Sequence, residues 1–88
     1  MKELINFWEE TVRALNRHEL DFDKDVIQIE SVDGYIEKEL FKTMAMTTNY
    51  ERDDGSAKIR MDFVITGKNW WFERKKCNGK ERWKFFSD

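Results

Sequence analysis

Three polar turn clusters divide the second half of the chain at regular intervals. Gly55, Gly67 and Gly79 stand twelve residues apart, and each lies among turn-forming residues, as in the segments 53–56 and 78–79. Strands separated by turns at a spacing of about 8 to 12 residues are typical of an antiparallel β-meander. The spacing therefore predicts that the second half of the chain is a set of strands joined by hairpins.

Turn chemistry also predicts how these strands pair. A two-residue loop at 78–79, a two-residue loop at 68–69 and a four-residue loop at 53–56 would fix three registers. The opposed residues would be Cys77 with Lys80, Arg74 with Trp83, Phe72 with Phe85, Trp71 with Phe86, Ile65 with Phe72, Tyr50 with Ile59, Met46 with Phe63 and Met44 with Ile65. Because a slip of one residue turns a strand over, the agreement of the loops on one apolar inner face supports these registers. The predicted core on that face is Met44, Met46, Tyr50, Ile59, Met61, Phe63, Ile65, Trp70, Phe72, Trp83 and Phe85.

The first part of the chain has helical periodicity. Between Lys2 and Leu20, apolar residues recur every three to four positions with charged residues between them, which predicts an amphipathic helix. Aspartates in the range 21–25 predict that the helix ends there, because negative charge at the carboxyl end of a helix is unfavourable. A following strand is suggested by Val26, Ile27 and Ile29.

Residues 33–42 allow two interpretations. The Asp-Gly pair at 33–34 is a strong hairpin signal, whereas Ile36, Leu40 and Met44 have the spacing of a short helix. The hairpin is favoured, and a second short helix in this range is kept as the alternative.

Length and composition bound the class of protein. A chain of 88 residues usually forms one core, so residues 1–88 are expected to be a single domain. The predicted fold is α+β, with the N-terminal amphipathic helix packed on one face of an antiparallel β-meander of about five to six strands.

No apolar run approaches the length of a membrane span, and the first residues lack a secretory signal. The cytoplasm is therefore the expected location.

Enzymatic and metal chemistry are not indicated. The sequence holds no Walker A phosphate loop, dinucleotide-binding glycine motif, HExxH motif or GxSxG motif. Asp21, Asp23 and Asp25 imitate the start of a calcium loop, but Val26 stands where that loop needs Gly and Val32 where it needs Glu. One cysteine excludes an intramolecular disulfide. No catalytic residue, metal site or cofactor is therefore predicted.

The predicted registers place an aromatic pair, Trp71 and Phe86, on the outer face of the sheet. Lys75, Arg82 and Lys84 fall on the same face, and these five residues form the predicted partner-binding site. Exposed Trp and Arg side chains contribute strongly to the energetics of protein interfaces. Lys75 directly opposite Arg82 would destabilise the strand pairing unless Asp62, expected beside Lys75, or a bound ligand neutralises them.

The leading hypothesis is a small non-catalytic protein that binds another protein. In size and character the chain resembles the small inhibitors encoded by phages and mobile elements, such as anti-CRISPR and anti-restriction proteins, and this resemblance implies an inhibitory contact with a protein. An acidic run offers a second surface, which would meet a basic partner such as a nucleic-acid-binding protein. The predicted acidic patch consists of Asp21, Asp23, Asp25, Glu37 and Glu39.

Three alternatives remain open. The aromatic and basic face could bind single-stranded nucleic acid by stacking and phosphate contacts, although the sequence pI of about 5.5 argues against a nucleic-acid-binding domain. A helix over a curved sheet could enclose a small-ligand pocket, as in cystatin-like or nuclear-transport-factor-like domains. Finally, Trp71 and Phe86 could lie beneath residues 33–42 or in a homodimer interface, with the lysines forming an ordinary solvated face.

Overall fold

The structure is a computed structural model that describes residues 4–51, 62–77 and 80–88, and its fold is α+β. Helices alternate with short strands in the first half, and longer strands follow in the second. The elements in chain order are β1 (Leu4–Asn6), α1 (Phe7–Asn16), α2 (Phe22–Asp25), β2 (Gln28–Ser31), β3 (Gly34–Ile36), α3 (Lys38–Met46), β4 (Asn49–Glu51), β5 (Val64–Thr66), β6 (Trp70–Cys77) and β7 (Lys80–Ser87).

The main sheet is antiparallel and, within the described ranges, has five strands in the order β3-β2-β5-β6-β7. Strands β1 and β4 form a separate two-stranded antiparallel ladder. The predicted class and strand number are confirmed. The predicted packing of the N-terminal helix on one sheet face is confirmed as well, because Phe7 of α1 stacks on the inward-facing Trp83 of β7.

Helix α1 is shorter than the predicted span of residues 2–20. It begins at Phe7 because the side chain of Asn6 caps it, accepting a 3.0 Å hydrogen bond from the backbone N–H of Glu9. The residues just before the cap belong to β1 and pair with β4. The helix ends at Asn16, before the aspartates that were expected to end it.

Those aspartates instead form a helical turn of their own. Asp21 caps α2, since its Oδ2 accepts a hydrogen bond of 2.9 Å from the backbone N–H of Lys24. In return, Oδ2 of Asp25 accepts a hydrogen bond of 2.7 Å from the backbone N–H of Asp21. This reciprocal arrangement satisfies backbone donors at the helix start, so the acidic run has a structural role there.

The registers of the C-terminal strands are confirmed. Phe72 lies opposite Phe85 and Trp71 opposite Phe86, and the other predicted pairs of β6 and β7 are also present. Ile65 lies opposite Phe72, as the loop at 68–69 predicted. The backbone of Gly67 lies close to the indole of Trp70, since a Cβ on Gly67 would overlap with Cε2 of that ring. Only glycine fits this position without moving the indole ring.

The strand predicted around Met44 and Met46 is wrong, because those residues lie in helix α3. Ile65 pairs with Ile29 of β2 on the side where Met44 was expected, and Phe63 does not lie opposite Met46. The side chain of Met46 is 53 % exposed, so its place in the predicted core is also wrong. The expected pair of Tyr50 with Ile59, the residue Met61 and the loops at 53–56 and 78–79 lie outside the described residues.

The physical reason for α3 is a buried stripe at four-residue spacing. Phe41 and Ala45 are fully buried, and the ring of Phe41 contacts Phe7 at a centroid distance of 5.6 Å and Phe63 at 5.7 Å. The range 33–42 therefore holds both proposed structures in succession, a hairpin strand and the start of a helix. Its hairpin is confirmed by the antiparallel pairing of β2 with β3.

Aromatic rings fill the space between the helices and the sheet. Phe7 stacks on Trp83 with ring centroids 5.6 Å apart, and Trp83 in turn meets Phe72 edge to face. The buried core residues are Phe7, Ala14, Leu15, Phe22, Val26, Ile29, Phe41, Ala45, Tyr50, Phe63, Ile65, Trp70, Phe72 and Trp83. Because α3 packs on this inner face with α1, it does not cover the opposite face of the sheet.

Candidate functional site

The outer face of the β6–β7 hairpin carries the aromatic pair that the sequence predicts there. Strand alternation directs Trp71 and Phe86 away from the helices. Their rings stack with centroids 5.5 Å apart and planes 9° from parallel, and both residues keep partial exposure. We define the outer face by its described side chains: Trp71, Glu73, Lys75, Arg82, Lys84 and Phe86.

The carboxylate of Glu73 contacts both the aromatic pair and a lysine of the outer face. Its Oε2 accepts a 2.7 Å hydrogen bond from the indole N–H of Trp71, and its Oε1 lies 3.2 Å from Nζ of Lys75. Lys84 stands directly opposite Glu73, and its Nζ lies 5.7 Å from the ring centroid of Phe86. One carboxylate therefore links the aromatic pair to the flanking lysines.

The predicted opposition of Lys75 and Arg82 is present in the structure. Like charges directly across a ladder are unfavourable, and the Glu73 carboxylate next to Lys75 reduces that repulsion. Both cationic side chains are exposed. The face therefore holds three cations and one anion, which gives it a positive balance.

Hydrogen bonding lowers the pKa of Glu73. The indole N–H of Trp71 contributes most, and Lys75 and Lys84 add to the effect, while partial desolvation opposes it. The carboxylate therefore stays ionised in the folded protein below its ordinary pKa of 4.5. Its stabilising contribution is present above that pH and is lost as the pH falls through the lowered pKa.

We expect the indole Nε1–H proton resonance of Trp71 to titrate with a midpoint below 4.5. An NMR pH titration measures this directly, and Glu73→Gln should abolish the transition. The indole N–H of Trp83 is the internal control, because it donates a 2.9 Å hydrogen bond to the hydroxyl of Thr11, which does not titrate. A Trp71 midpoint at or above 4.5 would contradict the described contact.

The structure brings the two parts of the predicted acidic patch together. Lys38 lies between Glu37 and Glu39 in the chain, and its Nζ donates hydrogen bonds to the backbone carbonyls of Asp23 at 3.0 Å and Val26 at 2.9 Å. The start of α3 is thereby held against the end of α2. The remaining acidic residues are the capping pair of α2, Asp21 and Asp25.

Sequence reasoning did not find a buried polar cluster on the inner face. The Arg74 side chain is fully buried, and its Nη1 lies 3.2 Å from Oε1 of Glu10. Tyr50 joins them, because its hydroxyl donates to the same Glu10 oxygen at 2.5 Å and accepts from Nη2 of Arg74 at 3.4 Å. The guanidinium carbon lies 5.1 Å from the ring centroid of Phe7 and 5.0 Å from that of Trp83.

This cluster holds the helix layer to the sheet. Among the described residues, Nε and Nη1 of Arg74 have no hydrogen-bond acceptor, so the Nη1 contact with Glu10 is an ion pair without hydrogen-bond geometry. A buried cation is costly unless an opposite charge lies nearby. Glu10 therefore compensates a charge that the strand alternation forces inward. The sequence did place Arg74 opposite Trp83 on the inner face, and this inward position of a cation is the feature from which the cluster could have been predicted.

A shallow groove lies on the helix side of the molecule. Its volume is about 140 Å³, and it is formed between α1 and α2 by Trp8, Val12, Leu15, Asn16, Leu20, Asp21, Phe22 and Asp23. The ligand-pocket alternative placed a cavity between helix and sheet, where the stacked rings of Phe7 and Trp83 lie. The groove therefore does not correspond to that expectation.

Two further properties bear on function. In the ranges 4–51, 62–77 and 80–88, no group of three or more His, Cys, Asp or Glu side chains is placed to hold a metal ion. Among the helices just described, none has the length and apolarity required to span a membrane.

Comparisons of the chain with known protein families, with curated proteins and with solved structures found no match.

Proposed function

We propose that this protein is a small non-catalytic binding module that engages another protein through the outer face of the β6–β7 hairpin. The observation that supports this most strongly is the stacked, partly exposed pair of Trp71 and Phe86 beside a row of charged side chains. Large aromatic side chains bordered by polar groups are typical of the energetically dominant part of protein interfaces.

The side chains of Trp71 and Phe86 are held in place by their own contacts, and this favours binding. Trp71 is held by its stack on Phe86 and by its hydrogen bond to Glu73. Side chains that are already fixed before association lose less conformational entropy when a partner binds. The pair therefore presents apolar area at a reduced entropic cost.

Charge indicates the chemistry of the partner. Three cations against one anion give the outer face a net charge of 3 − 1 = +2. A complementary partner would offer an apolar recess for the aromatic pair and acidic residues around it. The acidic patch around α2 and the start of α3 would serve as a second contact for a basic region, including that of a nucleic-acid-binding protein.

Inhibition of a cytoplasmic protein, in the manner of the small phage-encoded and mobile-element inhibitors, is the form of this function that we propose. Such an inhibitor needs a stable binding surface and no catalytic groups. Its size and the ordered outer face support this proposal.

Single-stranded nucleic acid is the second candidate, favoured by the opposition of Lys75 and Arg82 beside the aromatic pair. The Glu73 carboxylate weighs against it, since it would repel a phosphate backbone passing between these cations. In addition, the stacked rings of Trp71 and Phe86 already cover one face of each other. Protein binding is therefore the better supported of the two.

We expect the double substitution Trp71→Ala and Phe86→Ala to abolish capture of the partner from cell extract. With the captured protein purified, Trp71→Ala alone should weaken binding by about 30-fold, because a central aromatic contact contributes about 2 kcal/mol. Titration calorimetry with the purified partner measures this. Capture that is lost after nuclease treatment would instead favour the nucleic-acid function.

A matched control is the double substitution Val32→Ala and Tyr35→Ala. These residues lie in the β2–β3 hairpin at the far side of the sheet, and their side chains are 78 % and 76 % exposed. Removing apolar surface there should leave the affinity unchanged. Equal loss of binding in both double variants would contradict a role specific to the outer face.

A further inference from the structure

Strand β7 is a long edge strand. It runs over Lys80–Ser87 and pairs with β6, and among the described residues no strand lies on its other side. The opposite edge of the sheet, β3, covers only Gly34–Ile36. The free edge of an eight-residue strand presents a row of backbone donors and acceptors with which another strand can pair.

The hydrogen-bond pattern shows which residues present these groups. The backbone N–H of Asp88 donates to the carbonyl of Asn69 at 3.0 Å, which continues the ladder past the end of β7. Because bonded and non-bonded pairs alternate along an antiparallel ladder, the bonds to β6 come from Arg82, Lys84 and Phe86. The backbone groups at the free edge are those of Trp83, Phe85 and Ser87.

We propose that β7 pairs antiparallel with β7 of a second copy of this chain, with Phe85 on the two-fold axis. Only alternate residues of β7 direct their backbone N–H and C=O groups to the free edge, so these residues must lie opposite one another in the dimer. The two-fold axis must therefore pass through a residue and not between two residues. The dimer then extends the sheet across both copies through backbone groups, with Arg82, Lys84 and Phe86 of the outer face next to the seam.

Charge selects this register. With Phe85 on the axis, Arg82 of each copy lies opposite Asp88 of the other, and Lys84 lies opposite Phe86. An axis at Trp83 would set Arg82 against Lys84, and an axis at Lys84 would set Lys84 against itself. Like charges directly opposed destabilise a ladder, whereas opposite charges and cation–aromatic pairs stabilise it. The Phe85 register thus gives the longest overlap that avoids opposed cations.

The second copy would also cover apolar surface that the monomer leaves accessible. Phe85 is only partly buried, and its ring stacks with the exposed His18 at a centroid distance of 3.8 Å. At the axis, Phe85 would meet its own symmetry mate on the inner side of the extended sheet. This contact would add apolar burial to the backbone hydrogen bonds.

Sedimentation equilibrium on the full chain tests the proposal. The mass should rise from 10.8 kDa towards twice that value as the concentration increases from about 10 µM to about 1 mM. Arg82→Asp and Asp88→Arg should each weaken dimerisation by about tenfold or more, because both symmetry-related pairs become repulsive. The combined variant Arg82→Asp with Asp88→Arg restores opposite charges and should recover the wild-type dimer.

Two controls keep the result specific. Lys24→Asp, a similar charge reversal on the exposed surface of α2, should not change the association. Amide exchange at Trp83 and Phe85 should slow as the concentration rises, since these N–H groups enter the intermolecular ladder. A monomer at every concentration, a dimer indifferent to the Arg82 and Asp88 variants, or no recovery in the charge swap would each overturn the proposal.

Discussion

Replacing Glu10 by Ala is expected to lower the free energy of unfolding by about 3 to 5 kcal/mol. The substitution leaves the guanidinium of Arg74 buried beneath α1 without the carboxylate that lies 3.2 Å from its Nη1. A small domain has a total stability of about 5 to 15 kcal/mol, so the variant should lose a large part of its stability. Urea denaturation followed by circular dichroism measures the change.

The adjacent Glu9→Ala variant is the matched control. Glu9 is exposed and occupies the same first turn of α1, so its loss should change stability by only about 0.5 kcal/mol. Arg74→Met supplies a second comparison, since it removes the buried charge and keeps an apolar side chain of similar length. It should cost less than Glu10→Ala, because Glu10 is 10 % exposed at its side chain and can be hydrated. Equal effects of Glu9→Ala and Glu10→Ala would refute the role assigned to the cluster.

Replacing Phe41 by Ala is expected to cost about 3 to 5 kcal/mol. Phe41 is fully buried and contacts Phe7, Phe22 and Phe63 through its ring. Its loss would open a cavity between α1, α2 and α3 that the surrounding aromatic residues cannot fill without moving. Chemical denaturation gives the change in stability, and retained helical circular dichroism would show that α3 persists.

Leu40 provides the control for this experiment, because it precedes Phe41 in α3 and its side chain is 63 % exposed. Leu40→Ala deletes an apolar side chain that is already exposed to solvent, so it should change the free energy of unfolding very little. If Leu40→Ala proved the more damaging of the two, the buried side of α3 would be wrongly assigned.

The C-terminal hairpin could be predicted because local and tertiary signals agree there. The Asn-Gly pair at 78–79 predicts the register, and strict alternation separates Phe72 and Phe85 on the inner side from Trp71 and Phe86 on the outer side. A shift by one residue would have buried the charged residues of both strands. The geometry of the predicted partner-binding residues followed from this register, whereas their binding role stays a prediction.

The extent and the buried side of helix α3 could not be predicted, because its sequence carries two overlapping stripes. Leu40 and Met44 have helical spacing, and so do Phe41 and Ala45 one position later. Only packing against α1 decides that Phe41 and Ala45 are the buried pair. Read without that contact, the methionines and threonines in this part of the chain fit a strand equally well.

Prediction of the Arg74 cluster from the sequence also required knowledge of how α1 packs on the sheet. Strand alternation directs Arg74 inward, and an inward cation requires a carboxylate. Both Glu9 and Glu10 were available in the first helix. The choice of Glu10 depends on how α1 is rotated above the sheet, which follows from the buried residues Phe7 and Thr11.

The contact between the first helix and the last strand has a consequence for synthesis. Trp83 stacks on Phe7 and donates a hydrogen bond to Thr11, which lies 72 positions earlier in the chain. Because α1 leaves the ribosome before β7, the part of its apolar side that Trp83 covers stays exposed until β7 follows. Contacts this distant in sequence slow folding and lengthen the interval in which a nascent chain is open to chaperones and to aggregation.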